Sequence, residues 1–347
     1  MQLKTVETQS IIKQLLQCDS CVKKETIQSL WSGYGDISRY EITRNTQTTN
    51  TEISTLIVKH ISPPQKISHP RSWANETSHK RKLDSYLVEV NFYRNWASKC
   101  NKSCPVPKLE AEYCSAKEVI YAGSHQNATL LLLSDLDAQG YAKRAQQLSA
   151  LESKVVLSWL AHFHALFLSP SSQAKTDDLW SIGSYWHLAT RKDELQATPE
   201  SPLKSAAYKI DKLLNNSKYQ TIIHGDAKLA NFCFNDSLTQ VAAVDFQYTG
   251  YGIGVKDVIY FLGSCLSESV LENNFELLMH DYFSILTKAI NQYHPQIDAK
   301  RVVKDWSDLV DLSWADFERF LAGWAPTHNK RNKFSQRMTQ QALSKLK

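Results

Sequence analysis

The 347-residue sequence contains no uninterrupted apolar stretch approaching the roughly 18 residues that a membrane-spanning helix requires, so no membrane partner is expected. Its first residues, MQLKTVETQSIIKQLLQ, lack the apolar core and small-residue cleavage site of a secretory leader, and cytoplasmic residence is the expectation. Internal repeats and low-complexity segments are missing, which excludes solenoid arrays and compositionally disordered tracts. Cysteine is sparse: seven residues, an odd and widely scattered set in a chain large enough to do without staples, which reads as reduced thiols. Cys18 and Cys21 form the one C-x-x-C pair. No second Cys or His pair completes a zinc site and no strand precedes it as in a thioredoxin-like motif, so the spacing reads as coincidence. Acidic residues are absent from His328 to Lys347, which carries Lys330, Arg331, Lys333, Arg337, Lys345 and Lys347. This run reads as a solvated helix face; with a net charge of only +5 no nucleic-acid partner is expected, although the run could attract an anionic substrate or cofactor.

What is present describes an ordinary soluble globular protein, 42% hydrophobic and 22% charged, and the length predicts two domains. Up to about residue 136 short β-rich runs surround one clear helix; beyond it helical periodicity dominates, apart from a β-rich insert at 220 to 247. The expected boundaries are therefore 1–136 and 137–347. TLIVKHI (55–61) reads as a strand, LDSYLVEVNFYRNWASK (83–99) as a helix, and 118–123 with 128–136 as a hairpin ending in a polar turn. Val156, Leu160, Phe163 and Phe167, and later Val258, Phe261, Leu262, Cys265 and Leu266, recur at helical spacing.

The segment TIIHGDAKLANFCF (221–234) places His224, Asp226, Lys228 and Asn231 between two apolar runs. NFCF and VAAVDF are strand-like runs joined by the turn-forming NDSLTQ; paired as a hairpin, they set Asn231 across from Asp245. Two hard oxygen donors side by side suit Mg²⁺, which completes its octahedron with waters and phosphate oxygens. Asp226, in the loop before them, has the chemistry to orient and deprotonate a hydroxyl in line with a phosphoryl group. Lys228 adds positive charge where negative charge must be stabilised.

The run Asp226-Ala-Lys228-Leu-Ala-Asn231 followed by Asp245-Phe246 has the order of the protein-kinase catalytic and metal loops. With His224-Gly225 in front, the sequence resembles the aminoglycoside phosphotransferase and choline kinase group of small-molecule kinases. HGDAKLANFCF and VAAVDFQYTGYGIGVKDVIYFL look, more narrowly, like the ecdysteroid kinase-like branch, in which the second loop reads D-F-Q. The resemblance implies an α+β, protein kinase-like two-lobe fold, with a small β-rich N-terminal nucleotide-binding lobe and a larger, mostly helical C-terminal lobe that is catalytic and binds the acceptor. It implies ATP and Mg²⁺ as cofactors and a small-molecule hydroxyl as acceptor, with Asp226 as base, Lys228 beside it, and Asn231 and Asp245 as metal ligands. It also asks for a strand lysine and a helix glutamate over the phosphates. Lys59 and Glu89 stand in that order, although either alone reads equally as an ordinary ion-pair residue. Gly33-x-Gly35 is the candidate phosphate-covering turn, or a simple hairpin. Asp135 and Leu136 resemble the hinge whose backbone meets adenine, or form a plain turn. His224 and Asp257 are implied as braces of the catalytic loop, Asp257 reading by itself as a helix N-cap. His162 and His164 read as packing residues.

The alternatives are a pseudokinase scaffold, which would have lost a metal ligand or the base, and a protein kinase. The latter has too little room, since only about ten residues separate the D-F-Q motif from Asp257. The acceptor is left open by the residues. Trp180, Tyr185, Trp186, Trp306, Trp314 and Trp324 would suit a quaternary ammonium or an apolar alcohol, and Asp305, Asp308, Asp311 and Asp316 could counter a cation or simply face water.

Overall fold

Strand β3 (Thr51–Ile61) is the centre of a five-stranded antiparallel sheet with the order β1-β2-β3-β5-β4, flanked by β2 (Gly35–Asn45) and β5 (Thr129–Ser134). The outer strands are β1 (Ser20–Ser29) and β4 (Leu109–Cys114). The computed structural model describes residues 3–30, 33–45, 51–63, 76–115, 128–170 and 178–346. Side chains alternate across a strand, so Leu56 and Val58 fall on one face. They join Tyr40, Ile42, Leu130 and Leu132 in a core closed by Ile12 of helix α1 (Thr5–Leu16). Ile61 lies on the opposite face, in a second cluster with Leu30, Tyr34, Leu83 and Tyr86, the last two from α2 (Glu76–Asn95). Lys59, two residues before Ile61, shares that face. The arm of the hairpin expected at 118–123 lies outside the described residues; the strand that pairs with β5 there is LEAEYC, 109–114.

Met1–Ser98 with Pro107–Gly140 forms one compact unit, and Lys99–Val106 with Tyr141–Lys347 a second. In the second, α3 (Ala150–Leu166) packs along α7 (Glu268–Tyr293). Helix α3 starts at a capping box: Ser149 accepts the amide of Glu152, whose carboxylate accepts the amide of Ser149 in return. Helix α9 (Val310–Trp324) is nearly all buried, and α4 (Lys192–Ala197), α5 (Pro202–Asn215), α6 (Val255–Cys265) and α10 (Lys333–Ser344) pack on it. Helix α8 (Ala299–Ser307) packs on α7.

Two small antiparallel sheets carry the polar loop. One has the order β10-β7-β6, from β6 (Ser169–Pro170), β7 (Tyr219–Ile223) and β10 (Gly250–Gly252); the other pairs β8 (Phe232–Phe234) with β9 (Val241–Ala243). The chain is thus α+β, a five-stranded sheet followed by a helical unit. No helix among the described residues is long and apolar enough to cross a membrane.

Candidate active site

In the first unit, Lys59 and Glu89 meet. The lysine Nζ donates to Glu89 Oε2 at 2.5 Å, with both side chains almost fully buried. A lysine inside an apolar strand is expensive to bury alone, and the α2 carboxylate offsets that cost. Gly33 precedes β2 and Gly35 is its first residue, and they differ. A side chain on Gly33 would meet nothing within 4 Å, although its φ of +76° favours glycine. A Cβ on Gly35 would lie 1.8 Å from the carbonyl oxygen of His60, so this glycine lets β2 close on β3. Tyr34, between them, is fully buried and bonds His79 of α2 through its hydroxyl, anchoring the turn from below. Asp135 spends its side chain on structure: it accepts from Arg39 Nε at 2.8 Å and from the Asp137 amide at 3.1 Å. Leu136 beside it is buried.

In the second unit, β7 delivers His224, and three residues lock the loop that follows. Asp257 accepts the amides of His224 at 2.6 Å and Gly225 at 2.9 Å. It is not the N-cap of its helix. That position is Gly254, and Asp257 lies in the first turn with its carboxylate turned to the loop's amides. His164 of α3, read from sequence as packing, bonds the same carboxylate through Nε2 at 3.0 Å, its other nitrogen meeting Tyr282 Oη at 2.9 Å. The His224 imidazole accepts the Asp226 amide at Nδ1 and bonds the Val244 carbonyl through Nε2 at 3.0 Å, tying the loop to the segment after β9. Gly225 has φ +78°, and a Cβ there would lie 2.0 Å from the Tyr248 carbonyl oxygen.

Asp226 is the focus of this scaffold. Its Oδ2 accepts from Lys228 Nζ at 2.8 Å and from Asn231 Nδ2 at 3.2 Å. Its Oδ1 is buried with no hydrogen bond within 3.5 Å among the described residues, although the Tyr260 hydroxyl interacts with this carboxylate. A buried carboxylate oxygen without a donor is costly, and any hydroxyl or water able to donate to it would relieve that cost. Burial pulls the Lys228 ammonium down, but the Asp226 and Asp245 carboxylates outweigh it and hold the group well above the usual lysine range.

Asn231 also donates through Nδ2 to the Asp226 carbonyl at 2.8 Å, which leaves Oδ1 as the atom it can offer a cation. The β8–β9 register pairs Phe232 with Ala243, so the residue opposite Asn231 is Val244, whose amide donates to the Asn231 carbonyl at 2.9 Å. Asp245 therefore falls one residue further on than simple hairpin pairing predicts, in a left-handed conformation with φ +69°. Among the described residues no group of three or more His, Cys, Asp or Glu could hold a metal. An ion held by Asn231 and Asp245 would thus need phosphate oxygens and water to complete its shell, and this donor set fits Mg²⁺ brought with a nucleotide.

Sequence reasoning missed three residues near this loop, two of which, Tyr260 and Lys330, act on Asp226 electrostatically. Tyr260 of α6 is held well above the usual phenol range by burial and by the Asp226 carboxylate, so it is a neutral hydroxyl beside the loop. Arg191 stacks 4.2 Å from the centroid of Tyr185, whose amide donates to the Gly225 carbonyl at 2.7 Å. Lys330 stands over the Tyr260 ring at 5.0 Å. No local motif marks any of them, because they come from three separate segments brought to the loop by helix packing.

The aromatic residues divide. Trp186, Trp306 and Trp314 are core, their indole N–H groups donating to Asp316, the Tyr219 carbonyl and Ser335. Trp180, Tyr185 and Trp324 are partly exposed, and Tyr185 packs edge-on against Tyr248 at 5.0 Å and Phe320 at 5.7 Å.

The sequence model of the ecdysteroid kinase-like family matches residues 35–177 and 183–294. No curated protein matches the sequence. Among solved structures, the chain is similar to a Plasmodium vivax ethanolamine kinase at 10% identity and a TM-score of 0.47, over 93% of this chain and 82% of that one. An aminoglycoside phosphotransferase solved with ADP and hygromycin B gives 9% identity and a TM-score of 0.45, over 97% of each chain. A microcompartment-associated aminopropanol kinase gives 13% and 0.41, over 96% of this chain and 93% of that one. Similarity at that level carries no activity from one chain to another. The family match spans well over half of the sequence, including the loop from His224 to Asn231, and the chain belongs to the ecdysteroid kinase-like family.

Proposed function

We propose that the protein is a phosphotransferase that moves the γ-phosphoryl group of ATP to a hydroxyl of a small molecule. The observation that carries this reading is the Asp226 carboxylate, one oxygen held by Lys228 and Asn231 and the other buried without a hydrogen bond within 3.5 Å among the described residues, beside the Tyr260 hydroxyl. A substrate hydroxyl donating to Oδ1 is oriented as a nucleophile. Its oxygen bonds to the γ-phosphorus, its proton passes to Asp226, and the bond from the γ-phosphorus to the bridging oxygen breaks to release ADP. Asn231 Oδ1 and the Asp245 carboxylate would hold Mg²⁺, which neutralises charge on the phosphate oxygens when bound. Lys228 supplies fixed positive charge beside the reacting oxygens. Lys59, held by Glu89, and the Gly33–Gly35 turn would bind the nucleotide phosphates, with the backbone at Asp135 and Leu136 meeting the base. His224 and Asp257 hold the loop still, so that little reorganisation accompanies reaction.

The test is a thermal-shift and ATP-consumption screen over hydroxylated small molecules. Stabilisation by ATP with Mg²⁺, together with acceptor-dependent ADP release, is expected. No stabilisation by the nucleotide with the metal sinks the reading in favour of a scaffold.

A further inference from the structure

Lys330 lies between α9 and α10, in the basic stretch that reads from sequence as a solvated face. Other cations of that stretch are tied to acids: Arg331 to Glu318, Arg337 to Glu272 and Lys345 to Asp311. Lys330 forms no such pair among the described residues and is half-buried. Its Nζ stands 5.0 Å from the Tyr260 centroid and 5.8 Å from that of Phe317, two rings themselves 5.0 Å apart. Burial pulls its ammonium down to about 8, Lys228 pulls the same way, and Asp226 and Cys265 pull against them. His328, on the same turn, has its imidazole lowered by burial and by Lys330. The lysine is therefore within electrostatic range of Asp226, held over the Tyr260 and Phe317 rings and without an ion-pair partner among the described residues.

The acids that could serve a cationic acceptor are already engaged. Asp305 accepts from Ser217 and the Lys218 amide, Asp308 pairs with Lys304, and Asp311 with Lys345. Asp316 is buried among Arg319, Lys256 and Trp186. Arg191 adds a further cation on the Tyr185 side, its own partner being Glu194 at 3.1 Å. Taking Asp226 as the base, as proposed above, an ammonium-bearing alcohol would meet the cations Lys228, Lys330 and Arg191, while the four acids named here are committed elsewhere.

We infer that Lys330, seated on Tyr260 and Phe317, forms an acceptor subsite for an oxyanion. The alcohol that is phosphorylated carries a carboxylate or similar anionic group on an apolar frame, and alcohols bearing an amine are rejected. The lysine supplies a charge-assisted hydrogen bond, and the two rings supply the surface for the frame.

Three isosteric probes test this by calorimetry on the full chain with Mg²⁺ and ADP at pH 7: para-hydroxymethyl benzoate, para-benzenedimethanol and para-aminomethyl benzyl alcohol. The benzoate is expected to bind about 10-fold more tightly than the diol, and the amine most weakly, the size of one charge-assisted contact. Lys330→Gln removes the preference and Lys330→Arg keeps it. Between pH 7 and 9 the benzoate's advantage falls in the wild type and persists in Lys330→Arg, a difference that a merely structural lysine would not produce. Equal affinities, no benzoate binding, or a preference unchanged in Lys330→Gln overturns the subsite. Stabilisation by ATP with Mg²⁺ is read on the same protein preparations without ADP. Its absence overturns the phosphotransferase reading, while its presence without a benzoate preference overturns the subsite alone.

Discussion

The Asp257 carboxylate accepts the backbone N–H of His224 at 2.6 Å and, through its second oxygen, that of Gly225 at 2.9 Å. One side chain from α6 thereby fixes two consecutive peptide planes immediately before Asp226. His164, which itself meets Tyr282, holds the carboxylate from behind, so the loop rests on a buried chain of hydrogen bonds reaching into α7. Such chains are worth more than their isolated parts, because each member left alone would be a buried polar group without a partner.

Asp257→Asn keeps the shape but turns one acceptor into a donor that faces a peptide N–H. The expected loss is about 2–4 kcal/mol of stability, the range for a buried donor left unmade and a network broken. Urea unfolding reads it. A midpoint equal to that of the wild type would show that the carboxylate does not hold the loop.

Asp226→Asn should separate chemistry from folding. The amide still accepts from Lys228 and the backbone scaffold is untouched, so the melting temperature should hold. Acceptor-dependent turnover should fall by at least about 100-fold, the low end for loss of a general base. Asp245→Asn should behave likewise with a raised Mg²⁺ requirement, since asparagine tolerates the left-handed backbone but gives up the charge. Near-normal turnover in either variant would remove that residue from the mechanism.

Two glycines two residues apart should respond differently to alanine. Gly35→Ala puts a Cβ 1.8 Å from the His60 carbonyl oxygen, so β2 must move off β3 and the first unit should be severely destabilised. Gly33→Ala meets no atom within 4 Å and bears only left-handed strain, about 1 kcal/mol. If the turn covers phosphates, Gly33→Ala should raise the KM for ATP while the protein stays folded. An unchanged KM would leave the turn as a hairpin and nothing more.

Local pattern made some of this legible and distance hid the rest. The β3 strand and the α2 helix announce themselves by β-branched content and helical spacing, and a lysine inside the strand signals that an acid must be near. The loop from His224 to Asn231 is legible because its polar residues are contiguous. The β8–β9 register is off by one in the simple reading because it is set by the six-residue turn from Asn235 to Gln240, which pairs Phe234 with Val241, and the turn's length and its positive φ at Leu238 are not readable from strand pattern. Asp257 looks like an N-cap because its partners, the amides of His224 and Gly225, lie more than thirty residues upstream. Tyr260, Arg191 and Lys330 carry no pattern at all, since only the packing of α6 and α9 brings their segments near the loop that holds Asp226.

Lys330 supplies the sharpest test of whether function has been placed at the expense of stability. Its ammonium is pulled from the ordinary 10.5 to about 8 in the folded chain, chiefly by burial. The unfolded chain holds that proton more tightly, so the charged form opposes folding below pH 8, and the penalty fades as pH rises from about 8 to 10.5. Lys330→Met keeps the stem's packing on Tyr260 and Phe317 and discards the charge. At pH 7 it should unfold about 1–2 kcal/mol later than the wild type, discounted for solvent reaching a half-buried group. The gap should narrow towards pH 10 as the wild-type lysine becomes neutral. Urea unfolding at both pH values decides it. A methionine variant that is less stable at pH 7 would mean that the lysine is a structural cation, whereas a gain in stability accompanied by loss of the benzoate preference would mark a residue retained for its ligand.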